Sequence, residues 1–253
     1  MSPHLRRLRL TLGDGARTTA HVASYPLERF ELGVHLLPGP MPLEAWCRAG
    51  GVEEAMVGGF YVRSVRTGGG AAAAGTPLGE LRTHGAARDS LPFSAPWDAR
   101  RACVHAPAPG QVQIARREDL PREPIGDLLQ SGPLLVSEGR PVDHADEGFS
   151  VGADQFDSDI TIGRYPRAAL GCDGERLIAL ACDGRADDEA GLTLDELGAA
   201  MIKLGARDAL NLDGGGSTSL VCGGILRNVP RESHGVPLTG GRPIATALVF
   251  TPR

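Results

Sequence analysis

Hydrophobic and polar positions alternate at the start of the chain. Residues 5–12 place Leu at every second or third position among polar residues, Gly13-Asp14-Gly15 comes next as a turn, and residues 16–24 resume the strand pattern. Two such runs around a glycine-rich turn predict a β-hairpin. A third strand is expected over Glu31–Leu37. Pro42–Ala49 reads as a short helix with Pro in its first turn and Gly50 past its end. Residues 54–62 return to strand, interrupted by Gly58-Gly59. The stretch from about 84 to 124 is rich in Pro and Arg and does not order itself by pattern, and residues 139–164 are polar and turn-rich without a period.

The last ninety residues are more legible. Ala168–Cys172 and Arg176–Cys182 flank Asp173-Gly174, which predicts a hairpin pairing Cys172 with Glu175, Leu170 with Leu177 and Tyr165 with Cys182. That register puts Arg167 and Asp183 at the hairpin's open end and keeps Cys172 and Cys182 apart. Thr193 and Glu196 form a capping-box pattern. Leu194, Leu197, Met201 and Leu204 make an apolar helical stripe, and Gly205 suits the position just past the helix. A strand, Ala209–Leu212, comes next and ends at Asp213. Strand, helix and strand make a βαβ unit. If its strands are parallel, Asp183 and Asp213 share the edge where open sheets carry ligands. The expected class is α/β (α+β): a mixed twisted sheet with a βαβ unit in the C-terminal third and flanking helices. One domain is expected over residues 1–253, with a β-rich segment over residues 1–40.

Composition narrows the function. The chain has 253 residues, and its 35 Gly and 19 Pro stay below the share typical of low-complexity disorder. So much glycine argues against a helical bundle. Aromatics are 4%, leaving Ala, Val, Leu and Ile to build the core. The net charge of −5 argues against nucleic acid as a partner. Lys203 is the only lysine, a bias expected of a GC-rich coding sequence. Residues 1–10 lack a signal peptide's apolar core, and no run approaches the length of a membrane span. The expectation is a cytoplasmic bacterial protein without a membrane partner. Five cysteines (47, 103, 172, 182 and 222), without C-x-x-C spacing, read as buried free thiols.

Asp213-Gly214-Gly215-Gly216-Ser217-Thr218-Ser219 is the sharpest motif. Three glycines after a buried strand let amides approach an anion, and Ser217 and Thr218 add hydroxyls. A plain glycine-rich loop capped by Asp is the alternative. Asp183-Gly184-Arg185 reads either as a turn or as the second of two paired carboxylates, the arrangement that cuts glycosidic bonds. Arg167 and Arg185 would then neutralise an anionic leaving group. No H-E-x-x-H motif is present, and no G-x-G-x-x-G follows a strand. Asp154, Asp157 and Asp159 lack the rest of an EF-hand loop and read as solvated. His105 and His234 are expected at the surface. Residues 63–76, rich in Gly and Ala, read as a surface loop that could serve as a lid. No cofactor is required by these motifs. A divalent metal beside the paired carboxylates is chemically reasonable, but no ligand spacing calls for one.

Asn211-Leu212-Asp213-Gly214-Gly215-Gly216-Ser217-Thr218 resembles the signature of the phosphodiester glycosidases. The resemblance is ordered over residues 54–250. Gly58-Gly59-Phe60-Tyr61 resembles the family's Asn-Gly-Gly-Phe element, and Pro77–Glu80 the segment after it. Ser131-Gly132-Pro133-Leu134-Leu135-Val136 with Glu138-Gly139 resembles its Gly-Pro strand. Pro166-Arg167-Ala168-Ala169-Leu170-Gly171 resembles its Arg-Thr-Ala-Ile-Gly element. Asp183-Gly184-Arg185 and Gly191–Leu197 fit the family's next segments, and Asn228-Val229-Pro230 and Arg242-Pro243 resemble its closing elements. Val57 stands where the family element has Asn, and Ala168 where it has Thr.

The resemblance implies a mixed α/β fold and hydrolysis of a sugar-1-phosphate diester, with a small-molecule or glycan phosphodiester as substrate. It implies catalytic roles for Asp213, Asp183 and Arg167. It implies substrate contacts from Gly58, Gly59, Arg185, Asn211, Gly214, Gly215, Gly216, Ser217, Thr218, Asn228 and Arg242. A non-catalytic sugar-phosphate-binding module, or a glycosidase without phosphate specificity, remains the alternative.

Overall fold

The computed structural model describes residues 3–62, 74–143 and 163–253. The chain begins with the expected hairpin, β1 (His4–Thr11) and β2 (Arg17–Pro26), in register Thr11↔Arg17. The third strand, β3 (Phe30–Met41), outlasts the apolar pattern at both ends. It does so because it pairs along the last strand of the chain from Phe30 to Met41. The helix α1 (Leu43–Gly50) ends on Gly51, which holds the left-handed conformation at φ 65°. Next come β4 (Ala55–Val57), β5 (Leu81–Thr83), β6 (Ala86–Ala87), the single turn α2 (Trp97–Arg100), β7 (Ala102–Ala108), β8 (Gln111–Arg116) and β9 (Asp127–Gln130). The chain continues through β10 (Leu134–Ser137), β11 (Arg140–Pro141), β12 (Arg167–Cys172), β13 (Arg176–Cys182), α3 (Leu194–Lys203), β14 (Asp208–Asn211), β15 (Leu220–Cys222), β16 (Ile225–Leu226) and β17 (Ile244–Pro252). Among the described residues no helix is long and apolar enough to cross a membrane.

The fold is α+β, built on three sheets. A seven-stranded sheet runs β1-β2-β13-β12-β14-β10-β11. A five-stranded sheet runs β16-β15-β4-β17-β3, and a second runs β6-β5-β9-β7-β8. Every neighbouring pair is antiparallel. One apolar core joins all three sheets, with Tyr25 stacked on Phe250 at 3.9 Å between ring centroids. The other face of the seven-stranded sheet packs under α3 through Ala169, Leu180, Ala209, Leu197 and Met201. Both faces are therefore covered, so β12 and β13 are nearly continuous apolar runs without alternation.

The β12–β13 hairpin forms, but two residues out of the expected register: Arg167 faces Cys182 and Cys172 faces Leu177. The Asp173 side chain accepts the N–H groups of Glu175 at 3.0 Å and Arg176 at 2.9 Å. This local bonding makes Gly174-Glu175 the loop and moves Asp173 to the position before it. In α3 the capping box is complete, with Thr193 accepting the Glu196 N–H and Glu196 accepting the Thr193 N–H. All five cysteines are buried and free. His105, expected at the surface, is 3% exposed and its Nε2 meets the Ile125 carbonyl at 2.7 Å, because β7 lies inside its sheet beside β9. Most of the glycine-rich loop at 63–76, and all of Asp154, Asp157 and Asp159, lie outside the described residues.

Candidate functional site

The βαβ unit exists in a split form. β12 is inserted between β13 and β14 and runs antiparallel to both, so those two strands are parallel and their carboxyl ends reach one edge. Arg167 opens β12 at that edge. Asp183 succeeds β13 on one side of it. On the other side, Leu212 N–H still donates to Ala168 O at 2.9 Å before the chain reaches Asp213. The shared strand thus sets Arg167 between the two carboxylate-bearing chain ends.

Asp183 is 5% exposed and closely held. Its Oδ1 accepts the Val229 N–H at 2.6 Å, its Oδ2 lies 3.3 Å from His21 Nε2, and its main-chain N–H donates to Thr19 O at 2.9 Å. Asp213 is 9% exposed, and its Oδ1 accepts the Gly214 N–H at 2.9 Å. Its main-chain N–H donates to Gly58 O at 3.1 Å, which ties the edge to the β4 end of the second sheet.

Arg167 is 2% exposed. Its Nε donates to Leu192 O at 3.1 Å and its Nη2 to Gly163 O at 3.2 Å. Burial pulls the guanidinium down to about 10; Cys182 and Tyr165 oppose this, and the like charge of Arg185 adds to it. It is still a cation at neutral pH. Tyr165 lies beneath both guanidiniums, 5.5 Å from Arg167 and 5.4 Å from Arg185. Arg185 donates from Nη1 to Arg231 O at 3.2 Å.

The glycine loop works differently from the expected amide cradle. The Gly214 N–H goes to Asp213, the Gly215 N–H to Pro166 O at 2.8 Å, and the Ser217 and Thr218 N–H groups back to Gly214 O and Gly215 O. What the glycines supply is room for cations. Gly215 sits at φ +62°, and a Cβ there would lie 3.3 Å from Arg185 Nη1. A Cβ on Gly216 would lie 3.1 Å from Arg242 Nη2 and 3.0 Å from Glu232 Oε1. Arg242 also donates its main-chain N–H to Gly216 O at 2.8 Å, and its Nε donates to Glu232 Oε1 at 2.6 Å. Burial alone would lower the Arg242 pKa, but the bonds and charge of Glu232, with the charge of Asp213, outweigh it and raise it. The Arg242 guanidinium in turn holds the Glu232 carboxyl below its usual range.

Beneath this loop the Oγ atoms of Ser131, Ser217 and Ser219, the Thr218 Oγ1 and the Asn211 Oδ1 are buried and meet no partner among the described residues. Such atoms are uncommon in folded interiors, and each carries hydrogen-bonding capacity that the described residues do not use.

Three of the residues expected to touch substrate brace the edge. Gly58 and Gly59 donate their N–H groups to Thr246 O and Thr246 Oγ1, each at 2.9 Å. A Cβ on Gly58 would stand 2.5 Å from Thr246 Oγ1, so the glycine serves close packing of two chain segments. Asn228 donates from Nδ2 to Thr218 O at 2.8 Å and accepts the Leu220 N–H at 3.0 Å, which fixes the end of the loop. Asn211 donates from Nδ2 to Leu212 O at 2.9 Å, and its Oδ1 meets no partner among the described residues. Val57 lies in the apolar core with no exposure.

His21, Tyr165, Glu232 and Thr246 were not expected. Glu232 carried a faint signal as an acid ten residues before Arg242; the others carried none. Among the described residues no group of three or more His, Cys, Asp or Glu side chains gathers as a metal site. An apolar cavity of about 320 Å³, lined by Leu8, Leu10, Leu180 and Leu204, lies between β1 and α3 and includes neither carboxylate.

A family model described as phosphodiester glycosidase matches residues 50–251. No curated protein matches the chain. Among solved structures, a hypothetical protein from Synechocystis superposes with a TM-score of 0.72 at 17% identity, covering 100% of this chain and 62% of that one. The zebrafish N-acetylglucosamine-1-phosphodiester alpha-N-acetylglucosaminidase catalytic domain, auto-inhibited by its pro-peptide, superposes with a TM-score of 0.70 at 20% identity, covering 99% of this chain and 83% of that one. The chain thus spans less than two thirds of the Synechocystis protein. At these identities the two structures establish a shared fold.

Proposed function

The chain belongs to the phosphodiester glycosidase family, and on that premise we propose that it hydrolyses a glycosyl phosphodiester at the bond between the sugar and the phosphate oxygen. The observation that carries this reading is the placement of the Arg185 and Arg242 guanidiniums against Gly215 and Gly216, directly after Asp213. Arginine is suited to phosphate because its guanidinium keeps its charge and carries five N–H donors, of which Arg242 gives those on Nε and Nη2 to Glu232. Arg167, desolvated at the same edge, adds a third cation.

In the proposed reaction the arginines hold the phosphate, and Asp183 and Asp213 flank the anomeric carbon. The bond from that carbon to the phosphate oxygen breaks, and the phosphate monoester departs with the electron pair. A water oxygen bonds to the carbon, and a carboxylate takes its proton. A phosphate monoester is already a good leaving group, so fixed cations at its oxygens contribute more than a strong general acid. The buried, unpartnered Ser217, Thr218 and Asn211 oxygens fit a polyhydroxyl ring next to that phosphate.

The test is sugar release from a UDP-sugar and from a simple glycosyl phosphodiester. Asp213→Asn should abolish release while circular dichroism shows an unchanged fold. Undiminished release by that variant refutes the assignment. Calorimetric binding without release by the unmodified protein would instead favour a binding module.

A further inference from the structure

The family match begins at residue 50, yet the β1–β2 hairpin before it reaches the candidate site. Three residues of β2 meet Asp183. Thr18 Oγ1 donates to its carbonyl at 2.7 Å, Thr19 O accepts its N–H at 2.9 Å, and His21 Nε2 stands 3.3 Å from its Oδ2. The register explains the last contact. His21 is directly opposite Ala181, and Asp183, two residues on, points to the same face of the sheet.

A buried carboxylate needs partners for both oxygens. Oδ1 has a main-chain donor, Val229 N–H. Oδ2 has the His21 ring, which is 8% exposed, and no Arg or Lys nitrogen lies within ion-pair distance of Asp183 among the described residues. Across the strand on β1 His21 faces Arg7, while Glu189, bonded to the same β2 strand at Thr19, is held by Arg9 and Thr19. An ionised carboxylate only accepts hydrogen bonds, so the ring nitrogen facing Oδ2 carries the proton.

We propose that His21 is a positioning residue for Asp183. Its Nε2–H holds Oδ2 and sets the direction in which the carboxylate presents its remaining lone pairs to the anomeric carbon. The N-terminal hairpin is therefore a working part of the site. This rests on the reading of Asp183 given under Proposed function. The pairing itself can be tested without turnover.

The experiment compares His21→Ala and His21→Gln with the unmodified protein in sugar release, with kcat and KM determined separately and thermal unfolding measured on each. The expected result is a loss in kcat on the order of 10- to 100-fold for His21→Ala, the scale of a small misplacement at a reacting centre. KM should stay within about twofold, and the amide of His21→Gln should restore most of the loss. Unchanged kcat in His21→Ala, or an equal loss in both variants, overturns the proposal. If His21→Ala does not fold, a kcat below one tenth of the unmodified value in a folded His21→Gln does the same. If the unmodified protein releases no sugar from any phosphodiester, the catalytic reading fails and the pairing is decided by nitrogen NMR of the imidazole. A downfield, exchange-protected Nε2–H resonance that is lost in Asp183→Ala supports the pairing, and one that persists there refutes it.

Discussion

Gly58→Ala is the substitution that most directly tests how the second sheet holds Asp213. The added methyl would stand 2.5 Å from Thr246 Oγ1, 2.8 Å from Thr246 O and 2.9 Å from Thr246 C. Two of these are backbone atoms of β17, so the strand or the glycine segment must move. Overpacking of this kind costs about 1–3 kcal/mol. The movement also stretches the bonds from Gly58 and Gly59 to Thr246, each worth about 0.5–1.5 kcal/mol net. The terms overlap, so the expected loss is about 2–4 kcal/mol, a shift of roughly 30- to 700-fold in the unfolding equilibrium. Urea unfolding at constant slope measures it. Because Gly58 O accepts the Asp213 N–H, sugar release should fall further than stability explains, on the order of 100-fold for a displacement near 1 Å. Gly39→Ala is the control, since a Cβ there meets nothing within 4 Å; it should stay within about 0.5 kcal/mol of the unmodified protein. If Gly58→Ala matches Gly39→Ala in both assays, the β17 clamp on Asp213 is wrong.

Two further outcomes are expected. Burial pushes the thiols of Cys47, Cys182 and Cys222 up to about 12 and those of Cys103 and Cys172 upward as well. A thiol-titrating disulfide reagent at pH 8 should therefore find no reactive group in the native protein and five after denaturation; rapid native labelling of any one contradicts the packing. Burial would raise the Glu196 carboxyl, but the bonds from Arg164 and Thr193 outweigh it and hold it below its usual range. A carboxylate lowered on folding stabilises the protein above its unfolded value, about 4.3, and loses that contribution as pH falls through its folded value. Glu196→Gln should therefore flatten the drop in melting temperature between pH 5 and 3, and an unaltered slope would exclude this pair as its source.

What could be read from the sequence was local. The first hairpin, α1 and α3 with its capping box arise from turn and cap chemistry within a few residues, and they form as expected. The shared edge of Asp183 and Asp213 was also legible, because a strand, a helix and a second strand constrain direction. That β12 fills the space between the two strands was not, since it pairs with β14 across almost forty residues. The β12–β13 register failed for a local reason, the Asp173 side chain taking two amides. His21 and Thr246 were invisible because each meets its partner over a long separation, through sheet register. The glycine motif, read as an amide cradle, instead leaves space beside its missing side chains for Arg185 and Arg242.

The reach of the β17 clamp has a consequence during synthesis. Gly59 and Thr246 are separated by 187 positions, and His21 and Asp183 by 162. A ribosome adding about 5–20 residues per second needs roughly 10–40 s to extend the chain from Gly59 to Thr246. Through that interval the glycine segment beneath Asp213 lacks its anchor, and β4 lacks the neighbour that separates it from β3. Long-range pairing of this kind is slow to close and leaves strand edges open meanwhile. A message truncated before β17 would leave the carboxylate edge without this brace: the edge is finished only when its last strand arrives.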